Sequence, residues 1–483
     1  MNDFREQTMS CWLGKAAGGT LGQPFEGCDG PLHLKGYDPV PEDMTANDDL
    51  DLQVLWACIL NAMEKPRVDR ELFARGWLEH VDFPWDEYGL ALRNLRRGIP
   101  PPYSGAYDNW FQDSLGAAIR SELWACLAPG NPALAAAYAY EDACVDHAGD
   151  GIYAAQFLAA LESAAFVENR IAKLLEIGLS VIPEQSRLAK ALRDCIRHCA
   201  QCSDWQRQRQ RILELWGSEN FTDAVMNLCF VVMALLLGKG DFGKTICIAA
   251  NCGRDTDCTA ASAGAILGII NPAGIGPEWL RPIGRKLILS PGIRGITAPD
   301  SLDEFSDMIV GLRKRLLPSV AKPEPGTADF SAHAVHAQCA VLKPWFAQDA
   351  NRFPVKLPAE TRHCGFSGNF GCMPAEHIPP DSLFLMRFSF TLEESAHVRV
   401  MFNTPANCRV WLDGVYQFGR AGGRMAPSFH RCPINQYKDL WLAAGEHELL
   451  AGIASDNERE LIEWVFGVGD LETKQWMTAV KYH

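Results

Sequence analysis

The hydrophobic period changes once along this chain, and that change limits the folds open to it. Up to residue 317 the apolar residues return every three or four positions: Leu52, Leu55, Trp56, Ile59, Leu60 and Met63; then Tyr153, Phe157, Leu158, Leu161 and Ala165; then Val225, Leu228, Cys229, Val232 and Leu236. That spacing puts them on one face of an α-helix. Breaks fall at Pro100-Pro101-Pro102, at Ala128-Pro129-Gly130-Asn131-Pro132 and at Asn271-Pro272-Ala273-Gly274, where helices cannot continue. A last helix is predicted over 301–317. The stretch from Pro318 to Gly326, with Pro323 and Pro325 inside it, reads as a linker. Beyond it, 383–390, 397–403, 408–412, 415–418, 448–453 and 462–468 are short runs rich in β-branched and aromatic residues. Asp413-Gly414 between two of them is the sequence of a type I′ hairpin turn. The expected fold is mainly α: a helical domain over 1–317, a linker over 318–330 and a smaller β-sandwich over 331–483. The stretch 330–380 shows no clear period.

Charge narrows the partners. The 483 residues carry 45 Lys and Arg against 59 Asp and Glu, a net charge of −14. That balance argues against a nucleic-acid or anionic-membrane surface, because phosphate binding is dominated by Lys and Arg. The longest apolar run, 228–237, is far short of the ~20 residues that span a bilayer. The first ten residues hold Asp3, Arg5 and Glu6 and lack the apolar core of an export signal. A cytoplasmic protein with its 17 cysteines reduced is expected.

Two acidic clusters sit directly before helices. The first is Asn47-Asp48-Asp49-Leu50-Asp51 and the second is Gly253-Arg254-Asp255-Thr256-Asp257-Cys258. Taken singly, each is explained as a helix cap, since Asn and Asp satisfy free backbone N–H groups and complement the helix dipole. Together they offer two pairs of hard oxygen ligands at two helix starts, which suits Mg²⁺ or Ca²⁺. A third segment, 14–26, is rich in glycine and ends in Glu26. Its spacing fits neither common phosphate-binding loop, so close helix packing or a tight turn is the expectation.

These three segments, in this order, resemble the ADP-ribosylglycohydrolase family. There a Gly-rich first helix ends in a Glu, and a Thr-Asp-Asp-Thr and a Gly-Gly-Asp-Thr-Asp-Thr motif hold two Mg²⁺ ions in an all-α orthogonal bundle. His147-Ala148-Gly149-Asp150 resembles the central His motif of that family, and 116–120 and 128–132 resemble its carbohydrate-associated branch. The resemblance implies metal ligation by Asn47, Asp48, Asp49, Asp255 and Asp257, with one or two Mg²⁺ (or Ca²⁺) ions. It implies catalytic roles for Glu26, Asp49 and Asp257, and substrate contacts from Asp51, His147, Asp150, Asn251 and Arg254. The chain departs from the pattern at Gly19, Asn47, Leu50, Arg254 and Cys258. Leu50 cannot ligate a metal and a Cys sulfur suits softer ions.

The function expected is a metal-assisted glycoside hydrolase that cleaves an N- or O-glycosidic bond of a ribose-like or other small sugar conjugate. A true ADP-ribosyl hydrolase and a non-catalytic sugar-binding protein on the same fold are the alternatives. The C-terminal strands resemble galactose-binding-like sandwich modules, on Val410-Trp411-Leu412-Asp413-Gly414 and on 442–450. Trp411, Trp441 and Trp464 are candidates to stack on sugars, with core packing the plainer reading. Cys195, Cys199 and Cys202 have the spacing of an iron–sulfur loop, but their charged, helix-like setting argues against one. His363, Cys364, Cys372 and His377 match no common zinc spacing.

Overall fold

The computed structural model describes residues 3–318, 326–343, 357–454 and 459–483. Residues 319–325 of the expected linker lie outside that set. The chain divides into two compact units. One comprises Met1–Asp82, Pro100–Ala106 and Phe111–Pro323; the other comprises Phe83–Ile99, Tyr107–Trp110 and Glu324–His483. The described residues form sixteen α-helices, and all but one, Asp86–Arg96, lie in the first unit. No described helix is long and apolar enough to cross a membrane.

The first unit is organised by two helices far apart in sequence. The helix Phe4–Gly22 starts at the N-cap Asp3 and is buried at every position from Gln7 onward. Gly14, Gly18 and Gly22 recur every four residues, so they share one face. A Cβ on Gly14 would lie 2.2 Å from the carbonyl oxygen of Gly264, one on Gly18 2.1 Å from that of Ala260, and one on Gly22 2.3 Å from that of Thr256. The glycines therefore let this helix press its backbone against the helix Thr256–Ile270. The Gly-rich segment is a packing face, and it delivers its C-terminal end to the acidic start of the second helix.

Among the described residues the second unit has eleven strands: β1 (Val335–Leu342), β2 (Arg362–Phe366), β3 (Phe370–Pro374), β4 (Leu383–Leu392), β5 (Ala396–Asn403), β6 (Cys408–Leu412), β7 (Val415–Arg420), β8 (Tyr437–Leu442), β9 (Gly445–Ala454), β10 (Leu461–Asp470) and β11 (Lys481–Tyr482). One antiparallel sheet runs β2-β1-β4-β9-β6-β7, with β11 beside β4, and the other runs β3-β10-β5-β8. Phe388 and Phe390 of the first sheet and Phe402 and Phe466 of the second meet in one apolar core. Leu412 pairs with Val415 across a two-residue turn in which Asp413 and Gly414 both have positive φ, 50° and 77°. That is the type I′ turn the sequence predicts. Strands β1, β2 and β3 lie within the stretch that shows no period. Trp411 and Trp464 are buried in the core, so only Trp441, on the edge strand β8, faces solvent.

Two pieces of the expected 1–317 domain group with these strands. The reason is a buried ion pair. Arg93 of the helix Asp86–Arg96 lies 3.0 Å from Asp108. Asp108 in turn accepts the backbone N–H groups of Asn369 and Phe370 at 2.8 and 2.9 Å.

Candidate metal centre

The helix Asp48–Ala62 begins with Asn47 as its N-cap, whose Oδ1 accepts the N–H of Asp49 at 2.9 Å. For Asn47 the cap explanation holds. For Asp255 it does not: it occupies the N-cap position of Thr256–Ile270, yet its side chain makes no cap hydrogen bond. Its Oδ1 is buried and has no hydrogen-bond donor, and the same is true of Asp257 Oδ1. A buried carboxylate oxygen left without a donor is costly, so these two oxygens need an explanation beyond helix capping.

The two helix starts come together. The amide Nδ2 of Asn47 donates to Asp257 Oδ2 at 3.0 Å, and Cys258 Sγ donates to Asp49 Oδ1 at 3.3 Å. Asp255, Asp257 and Cys258 each offer a ligand atom within 4.8 Å of the others, and among the described residues they form the one group of His, Cys, Asp or Glu so placed. Asp49, Asp255 and Asp257 are at most 4% exposed. Burial pushes their carboxyls above the usual range, and the negative charges they share add to it. Glu26 is exposed, where the 3₁₀ turn Gln23–Phe25 ends the first helix, and its charge raises both Asp255 and Asp257. Asp48 is half-buried and acts in the same way on Asp49.

The donor set fits a hard divalent cation. Cys258 Sγ donates to Asp49 Oδ1, and a sulfur ligand suits softer ions. What remains open is carboxylate oxygen, the ligand that Mg²⁺ and Ca²⁺ take. Asp255 and Asp257 would hold such an ion.

The residues expected to contact substrate have the following partners within the fold. His147 is fully buried: its Nδ1 lies 3.1 Å from Asp146 Oδ1, and its Nε2 accepts the N–H of Ala117 at 3.3 Å. It packs in the core beside Asp146. Asp150 accepts the N–H of Leu188 and so caps the helix Arg187–Cys199. Asp51 is buried and accepts the N–H of Ser290, with burial raising its carboxyl to about 7. Asn251 clasps the backbone of Leu34 through both amide atoms, at 2.6 and 3.0 Å. Arg254, at φ 67°, pairs with Asp29 at 3.0 Å and donates its N–H to Cys28. These last contacts fold the loop after Glu26 onto the start of Thr256–Ile270. Leu50 is buried.

The sequence reading misses Lys15. Only 1% exposed, its ammonium lies 2.8 Å from Glu122 Oε1 and 3.6 Å from Asp49 Oδ2. Gln53 donates to the other oxygen of Glu122 at 2.9 Å and accepts the N–H of Leu123. The available signal was a single Lys among the small and apolar residues from Met9 to Gly22, on a helix with no polar face to receive it.

A family model described as ADP-ribosylglycohydrolase matches residues 1–315. A solved structure described as "ADP-ribosylglycohydrolase-related protein complex" is 20% identical, with a TM-score of 0.46, covering 66% of this chain and 100% of that one. No curated protein matches the chain.

Proposed function

The chain belongs to the ADP-ribosylglycohydrolase family, which implies a hydrolase, and from that premise we propose a metal-assisted glycoside hydrolase. Its substrate is a ribose-like or other small sugar conjugate, cleaved at an N- or O-glycosidic bond. The observation that carries this reading is the meeting of two helix starts at a buried carboxylate cluster in which one oxygen each of Asp49, Asp255 and Asp257 accepts no hydrogen bond.

Mg²⁺ or Ca²⁺, when bound, supplies positive charge that orients sugar hydroxyls. Asp255 and Asp257 hold the ion from the start of one helix, and Asn47 fixes Asp257 from the other. Glu26, exposed beside them, takes a proton from the attacking water as general base. The negative charge of the cluster favours the oxocarbenium-like transition state of glycosidic cleavage.

The test begins with metal. Mg²⁺ raises the melting temperature of the stripped chain, because a ligand bound only by the folded state stabilises it. Asp255→Asn with Asp257→Asn removes that response; an unchanged response in this variant would reject the site. A panel of nitrophenyl furanosides and pyranosides, nucleosides and ADP-ribosyl compounds then identifies the substrate class. On any member turned over, Glu26→Gln lowers kcat ~10²-fold or more with little change in KM, the scale of general-base help. A Glu26→Gln rate within twofold of wild type would remove Glu26 from the chemistry. A metal-loaded chain inert on the whole panel would favour the non-catalytic alternative.

A further inference from the structure

We propose that Lys15 is a resident cation of the acidic cluster: it occupies the Asp49 arm, so the chain binds a single exchangeable divalent ion, on the Asp255–Asp257 arm. This rests on the metal reading above and deepens it.

The argument starts from which oxygens are taken. Asp49 Oδ1 accepts the Cys258 thiol at 3.3 Å, and Asp49 Oδ2, which accepts no hydrogen bond, faces the Lys15 ammonium at 3.6 Å. Asp255 Oδ1 and Asp257 Oδ1 face no donor. The cluster is therefore asymmetric, with one arm neutralised from within and one arm not.

Lys15 is built into its place. Its neighbours Gly14 and Gly18 lock the helix backbone against Thr256–Ile270, which fixes where the Lys15 side chain starts. Its ammonium hydrogen-bonds Glu122 at 2.8 Å, and Gln53 secures Glu122 from the other side. An ammonium has three N–H groups and no acceptor, and the carboxylates of Glu122 and Asp49 face it here. A divalent ion about 2.1 Å from Asp49 Oδ2 would lie roughly 6 Å at most from the ammonium, 3.6 Å from the same oxygen. Two like charges that close, out of water, exclude each other. The neighbouring Leu50 side chain is apolar and brings no further ligand.

The experiment counts ions. Mn²⁺, visible by electron paramagnetic resonance, is titrated into the stripped full-length chain and the bound ion is quantified by equilibrium dialysis. The expected stoichiometry is one Mn²⁺ per chain, with no spin-coupled pair. The double variant Lys15→Met/Glu122→Gln removes the Lys15–Glu122 ion pair together and leaves Asp49 without its ammonium, and it gains a second Mn²⁺. Two ions in the wild type, or one ion in a folded double variant, would overturn the inference. Single substitutions give a second measure that does not depend on that variant folding. Asp49→Asn weakens Mn²⁺ binding less than 10-fold, while Asp257→Asn weakens it ~100-fold or more; equal losses would overturn the inference as well. A wild type that binds no Mn²⁺ overturns the metal reading itself, an outcome distinct from a wild type that binds two.

Discussion

Asn47 and Asp255 hold the same local position, the residue before a helix, and use it differently. Asn47 caps its helix and passes its amide to Asp257, while Asp255 leaves its own helix uncapped. No local rule separates the two, because both residue types are good N-caps. His430 makes the same point in the β unit. Burial depresses its imidazole to about 4, against the opposing pull of Asp86 3.9 Å away. A depressed folded-state value means that neutral His430 contributes stability fully above pH 6.5, and that this is lost as pH falls from 6.5 toward 4. The contribution is on the order of 3 kcal/mol. His430→Gln is therefore expected to flatten the acid side of the stability curve by about that amount. Urea unfolding of both proteins at pH 7.5 and pH 4.5 checks it, and parallel curves would rule out His430 as a source of acid sensitivity.

At the scale of elements, the packing of Phe4–Gly22 on Thr256–Ile270 sets the whole site. A methyl at Gly18 would lie 2.1 Å from a carbonyl oxygen of the facing backbone, which cannot turn aside as a side chain can. Gly18→Ala is expected to cost about 3 kcal/mol or more, the upper range of overpacking. It is also expected to weaken the Mg²⁺ response, since it displaces the start of Thr256–Ile270, where Asp255 and Asp257 sit. Gly36→Ala is the control: nothing lies within 4 Å of its added methyl, so its effect stays within about 0.5 kcal/mol. Equal denaturation midpoints for the two variants would mean that the interface yields. The i, i+4 spacing of Gly14, Gly18 and Gly22 was legible as a packing face. The identity of the facing helix was not, because it lies more than two hundred residues on.

At the scale of the whole molecule, the change in hydrophobic period near residue 318 and the division in space do not coincide. The β unit takes Arg93 and Asp108 from far upstream. Asp108 has φ 49°, a conformation Asn adopts readily, so Asp108→Asn changes the charge and spares the backbone. It leaves Arg93 buried without its ion pair and is expected to destabilise by about 3–5 kcal/mol. A fragment of residues 326–483 lacks both partners and is expected to unfold without a cooperative transition. A cooperative transition at the denaturant midpoint of the β unit in the full chain would show that the strands need neither.

What the sequence determined by itself was whatever depends on near neighbours: helical period to residue 317, strand alternation after it, the Asp413-Gly414 turn, and acids at two helix starts. Backbone sterics and side-chain spacing act over a few residues, so a window of that size records them. Which oxygens lack a donor, and which candidate residues are instead spent on the fold, was decided only by tertiary structure. Asn47 reaches Asp257 across 210 residues and Lys15 reaches Glu122 across 107. Asp51, Asn251 and His147 carry residue types suited to a site, yet they are consumed by Ser290, Leu34 and Asp146. A polar side chain becomes structural or functional according to the partner that burial brings to it, and that partner is set by packing between distant helices.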